Sequence, residues 1–251
     1  MSDTAILFQQ AKRAWIIARK DIRIYYSKGP VIIFGILFPV FLFLSFAVGR
    51  NLPFESLIPG LLGMVLFFTS TSISPAVAPW ETQARTLERL MSAPLKTHTI
   101  ILGDILASFL YGVLVSIVPL IACVGFGIKI SHPVILMLGI ILAGFCFSSL
   151  GLIFSAAPTS MPSTIMMLSV MVKFPVIFIS GIFIPLDQLP EWGRIISFVS
   201  PLTYFTDIAR LCIKKRGYFS LGFDFLMLVA FTILFLLFAM IIHHITMPKR
   251  I

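Results

Sequence analysis

The chain has 251 residues, of which 59% are hydrophobic and only 12% charged, with a formal net charge of +9 and a mean hydropathy of +1.05. A water-soluble domain of this length carries about a quarter charged residues. The composition therefore excludes a protein surrounded by water and leaves hydrocarbon as the solvent for the remaining surface. The positive balance is read as membrane orientation and attraction to anionic headgroups, and nucleic acid is not expected as a partner.

Taken in chain order, residues 1–28 form a cytoplasmic amphipathic interfacial helix. Phe8, Ala11, Trp15, Ala18, Ile22 and Tyr26 recur at spacings of three or four, and Lys12, Arg13, Arg19, Lys20 and Arg23 occupy the adjoining face. Apolar runs long enough to span a bilayer follow at about 30–49, 57–79, 100–127, 133–155, 163–185 and 221–245. They are continuously apolar, so helices are expected and not the alternating strands of a barrel. Asp104 and Asp224 stand near span ends, Lys173 stands inside the fifth run, and Pro39, Pro119 and Pro175 interrupt spans. With the N-terminus in the cytoplasm, six basic residues precede the first span, and the C-terminus returns to the cytoplasm after six spans. The cluster Lys214-Lys215-Arg216 then falls outside, against the positive-inside rule.

Two polar segments carry the functional reading. The first, at 81–92, is expected as a short cytoplasmic coupling helix with Glu81 paired to Arg85 across one turn and an apolar stripe of Ala84, Leu87 and Met91. Pro94 stops it. The second, at 181–218, is long for a connector. Its prolines Pro190 and Pro201 stand where helices start, and its two short helices are expected to dip into the outer leaflet or cap the external end of a pathway.

These two segments resemble the permease subunits of type-2 ATP-binding-cassette exporters. Thr86-Leu87-Glu88 followed by Ala93-Pro94 resembles that family's coupling segment. Leu189-Pro190-Glu191-Trp192, then Pro201-Leu202-Thr203-Tyr204 followed by Asp207 and Arg210, resembles its second motif. Arg85 departs from the pattern, standing where the family often has glycine. The resemblance implies an all-α polytopic membrane protein, with residues 29–251 as the type-2 ABC transmembrane domain. It implies a homodimer in the cell membrane that docks two copies of a cytoplasmic ABC ATPase through Glu81, Arg85, Leu87, Glu88 and Met91.

This chain shows no Gly-x-x-x-x-Gly-Lys-Ser/Thr loop, so ATP and Mg are expected in the partner subunit. No catalytic constellation is expected in the chain. The histidines His98, His132, His243 and His244 are too scattered for a metal site, and Cys123, Cys146 and Cys212 form no spaced framework. Lys173, Phe174, Phe178, Phe183 and Tyr204 are the expected pathway residues. The expected activity is ATP-driven export of an amphipathic or hydrophobic substrate, drug-like or lipid-like. The alternatives are export of a lipid-linked glycan and, in a different class, an ion-coupled carrier needing midplane carboxylates.

Overall fold

A computed structural model describes residues 3–48, 53–86, 92, 97–157, 159 and 161–246. Helices α1 (Asp3–Tyr25), α2 (Gly29–Ile32) and α3 (Phe38–Val48) open the chain, with a π-helical turn at Ile33–Leu37 between the last two. Then come α4 (Phe54–Ser72), α5 (Ser74–Gln83), α6 (Thr97–Gly125), α7 (Pro133–Ser155) and α8 (Pro162–Ile179). A 3-10 turn at Leu186–Gln188 precedes α9 (Glu191–Ser197), α10 (Pro201–Lys214) and α11 (Leu221–Thr246). No strand occurs among the described residues.

The protein is an all-α polytopic membrane protein. Five stretches are long and apolar enough to cross a bilayer, namely Phe54–Gln83, His98–Gly125, Pro133–Ser155, Pro162–Ile179 and Leu221–Thr246. Gln9–Tyr25 and Gly29–Ser45 meet at 96° and add a sixth if the bent pair is one span. The outer surface is apolar. Leu114, Ile117, Val118 and Ile121 on α6 and Leu226, Ile233, Leu237 and Phe238 on α11 are exposed, as lipid-facing side chains are. The interior holds the small polar residues. Thr69, Ser70, Thr71 and Ser72 of α4 and Ser148 and Ser149 of α7 are buried, and several of their hydroxyls donate to carbonyls of their own helix.

Prolines shape two helices. Pro39 has no N–H for the carbonyl four residues back, and the π turn just before it widens the ladder, with Phe38 N–H donating to the Ile33 carbonyl. The second span is broken at Ile73. Pro75 cannot donate to the Thr71 carbonyl, so α4 stops and α5 starts afresh with Ala76 N–H donating to the Ile73 carbonyl at 2.9 Å. The helix expected at 81–92 is therefore preceded by a helix of its own, and that helix ends at Gln83.

Helix α4 is the axis of the bundle, packed against α6, α7 and α10. Its Leu62, Phe67 and Phe68 join Phe147 of α7, Tyr204 and Phe205 of α10 and Leu228 of α11 in the main core. Helix α10 does more than cap the bundle as expected, because Pro201 through Ala209 are buried without interruption. Its insertion needs Gly63, where a Cβ would come within 2.7 Å of Thr206 Cγ2. The apolar face of α1 is also turned from the expected one. Ala14, Ile17, Ala18, Tyr25 and Tyr26 are buried, while Trp15 is 52% exposed. Trp15, Ile16, Arg19 and Arg23 share the outward side, which suits a headgroup layer.

Candidate functional site

A polar joint ties α1 to the helix that leads into the expected coupling segment. Lys20 Nζ lies 3.0 Å from Asp21 Oδ1 and forms an ion pair and hydrogen bond with Glu81 at the end of α5. Asp104 on α6 lies beside this pair, within electrostatic reach of Lys20, Asp21 and Glu81. Asp21, Glu81 and Asp104 are all buried. Tyr26 OH donates to Ser108 Oγ at 3.1 Å, and Tyr25 stacks on Trp80 with ring centroids 5.4 Å apart.

This corrects one expectation. Glu81 pairs with Lys20 and not with Arg85, because the helix that would bring Arg85 over Glu81 ends first. Asp104, near the start of its span, is buried where α1 packs on α6. Ala84 N–H donates to the Trp80 carbonyl at 3.0 Å and Thr86 N–H to the Glu81 carbonyl at 2.9 Å, while Arg85 takes φ +53°. This is the left-handed helix terminator that glycine fills without strain, and Arg85 stands where the resembled family often has glycine. Arg85 is exposed. Leu87, Glu88 and Met91 lie outside the described residues.

Lys173, expected on the pathway, is instead turned into the break in the second span. Its Nζ donates to the Thr71 carbonyl at 3.0 Å and to Ser72 Oγ at 3.3 Å, and sits 5.6 Å from the Phe68 ring centroid. The ammonium replaces the donor that Pro75 removes, which explains how a cation is held inside a span.

The other face of α8 opens on a cavity of about 800 Å³ between the first apolar segment, the end of α5 and α8. Phe34, Trp80, Met166, Met167, Met171 and Phe174 line it. Phe174 is thus placed at the cavity, and the aromatic series continues away from it. Phe174 is 5.6 Å from Phe38 and 6.5 Å from Phe178, which is 5.4 Å from Phe183. Tyr204 belongs elsewhere. It is buried on α10 among Phe219, Phe223 and Phe231, with its OH donating to the Phe198 carbonyl at 2.8 Å.

The polar side chains of α10 hold the surrounding chain in place. Thr203 Oγ1 donates to the Ser197 carbonyl at 2.7 Å, and Thr206 Oγ1 to the Ser180 carbonyl at 3.1 Å. Arg210 donates to the carbonyl of Gly181, a left-handed residue at φ +74°. Asp207 accepts the backbone N–H groups of Tyr218 and Phe219 at 2.8 Å. Burial pushes the Asp207 carboxyl up, and those two N–H donors and Arg210 pull it back. Burial lowers the Arg210 guanidinium, with Asp207 and Asp187 opposing. The basic cluster follows at the end of α10, where Lys214 Nζ donates to Ser56 Oγ at 2.7 Å and Lys215 takes φ +57°.

The sequence reading missed the Lys20–Asp21–Glu81–Asp104 joint. One signal was available, since Asp21 continues the Ala14, Ile17, Ala18 spacing and precedes Tyr25 by four. It also missed Met166, Met167 and Met171, whose facing is set by the neighbours of α8. Among the described residues, no group of acidic, histidine or cysteine side chains is arranged to hold a metal ion.

A bundle of lipid-facing apolar helices, a broken central span, an inserted α10 and a lateral cavity define a polytopic helical membrane domain. Residues 11–213 match the ABC-2 type transporter family, and the chain belongs to that family. It is 30% identical over 152 residues to ABC transporter G family member 20 of Dictyostelium discoideum, a match covering 60% of this chain and 21% of that protein. The chain thus spans about a fifth of that relative's length. The chain is a multi-pass membrane component of an ABC transporter, as its two motifs implied.

Proposed function

We propose that the chain is the transmembrane permease subunit of an ATP-driven exporter of amphipathic or hydrophobic molecules. It pairs with a second permease copy in the cell membrane and docks two cytoplasmic ABC ATPase subunits that bind the ATP and Mg. Both termini are cytoplasmic. The observation that carries this reading is the methionine- and aromatic-lined cavity of about 800 Å³, which Trp80 closes on the same helix that holds Glu81. Its size fits a drug-sized ligand, and methionine adapts to varied apolar shapes. Gln83 and Ser163 are the polar side chains of its lining, a poor match to a glycan. Asp104 and Asp224 do not line it, which weighs against an ion-coupled carrier.

The mechanism follows from the connections. Closure of the two ATPases moves the segment after Gln83. Helix α5 transmits this to the joint with α1 through Lys20 and to α8 by direct packing, so the two walls of the cavity move together. Reconstitution of the chain with its ATPase in proteoliposomes tests the reading. Apolar drugs should stimulate ATP hydrolysis, and the paired change Met167→Trp with Met171→Trp, which fills the cavity, should abolish the stimulation. Stimulation that survives the filled cavity would reject this site.

A further inference from the structure

A cation stands beside the cavity, and among the described residues it has no ion-pair partner. Lys28 lies between α1 and α2, two residues before Pro30, which lines the cavity. Its Nζ is 4.2 Å from the ring centroid of Trp80, a lining residue, and 4.9 Å from that of Tyr25. The stacked pair of rings fixes the ammonium by cation–π attraction, which leaves its N–H donors available. The nearby carboxylates are taken. Glu81 and Asp21 pair with Lys20, and among the described residues no carboxylate forms an ion pair with Lys28. Burial lowers the Lys28 ammonium, and no neighbouring charge offsets it.

Behind this cation the lining is almost wholly apolar. Phe34, Val170 and the three methionines of α8 offer dispersion contacts and no charge. We propose that the cavity takes an anionic amphiphile, with its apolar body among Phe34, Met166, Met167 and Met171 and its carboxylate, sulfate or phosphate on Lys28. This rests on the reading of the cavity as the substrate site, and it narrows that reading from amphiphiles in general to those with one negatively charged end. A neutral or cationic ligand would leave Lys28 without a charged partner in the bound state.

The test uses the full chain in phosphatidylcholine nanodiscs, with dansyl-undecanoate and its methyl ester as probes of identical body and different charge. Dansyl fluorescence reads the affinity. The acid should bind about tenfold more tightly than the ester, the scale of one charge-assisted hydrogen bond. Lys28→Gln should erase that difference and leave ester binding within about twofold, while Lys28→Arg should preserve it. The paired Met167→Trp and Met171→Trp change should abolish both. Equal binding of acid and ester, lost on filling the cavity, would overturn the anion inference and keep the substrate site. Binding that ignores the filled cavity, or no binding of either probe, would overturn both, as would crosslinking that finds a second copy of the chain in the groove.

Discussion

Lys173 and Pro75 are a pair separated by about a hundred residues of chain, on the scale of the bond from Lys173 to Thr71. Proline removes an N–H from the Thr71 carbonyl, and lysine supplies one from another helix. Lys173→Met should lower stability by about 1–3 kcal/mol, the cost of a buried polar group left unmatched. In a Pro75→Ala background the same change should cost much less, because alanine at that position would bring back the missing N–H. Thermal melts of the four proteins in detergent check this, and additive effects would contradict the capping role. Lys20→Met should leave Glu81 buried beside Asp21 without its cation. Because Lys20 is 30% exposed, the loss is set at the low end of the range for broken buried pairs, about 3 kcal/mol, read as a fall in melting temperature. Glu81→Gln should cost less, since the amide keeps an acceptor for Lys20. Arg85 is the opposite case. At φ +53° a side chain is strained, so Arg85→Gly should raise the melting temperature, by about 1 kcal/mol of relieved strain.

The helices show what spacing discloses and what it hides. The apolar runs at 133–155 and 221–245 match α7 and α11 nearly end for end, because continuous apolarity over this length has one stable backbone in lipid. The break at Ile73 lies in a run free of charge but rich in serine and threonine, Thr69 to Ser74, with Pro75 after it. It follows from a missing hydrogen bond and needs the position of Lys173 to be understood. The expected Glu81–Arg85 pair assumed a helix running through both residues, and the turn at Ala84–Arg85 ends that assumption. Likewise the α1 stripe was misplaced because its true buried face contains Asp21, a residue that periodicity counts as polar and solvated. The second motif was legible as a unit but not in role. Thr203, Thr206, Asp207 and Arg210 all bond to backbone, and sequence spacing does not say to which one. For the segment after Gln83, exchanging its charges with Arg85→Glu and Glu88→Lys together should uncouple ATP hydrolysis from transport while leaving membrane insertion intact. Unchanged substrate-stimulated hydrolysis would argue against a coupling role.

Across the whole molecule the two ends of the bundle differ in character. One holds the joint of α1, α5 and α6. The other gathers the start of α4, the end of α10 and the start of α11, with Lys214 bonded to Ser56. In the proposed topology the second end faces outward. Cys212 is a poor reporter of this, being buried with its thiol pushed up to about 11. Lys215→Cys is exposed and should react with an impermeant maleimide added to intact cells, whereas Cys212 should not. Labelling of Lys215→Cys only after lysis would invert the topology.

The insertion of α10 also constrains how the protein is made. A helix of 14 residues carrying Asp207, Arg210 and Lys214 does not partition into lipid by itself. In chain order, and so in synthesis, it follows α4 and α7 and precedes α11. Its place between them must then stay open, or reopen, until the threonines and Asp207 find their backbone partners. Biogenesis therefore ends with a docking step inside the membrane, distinct from the insertion of any span. The close approach of Thr206 to Gly63 is the contact that this docking step must complete.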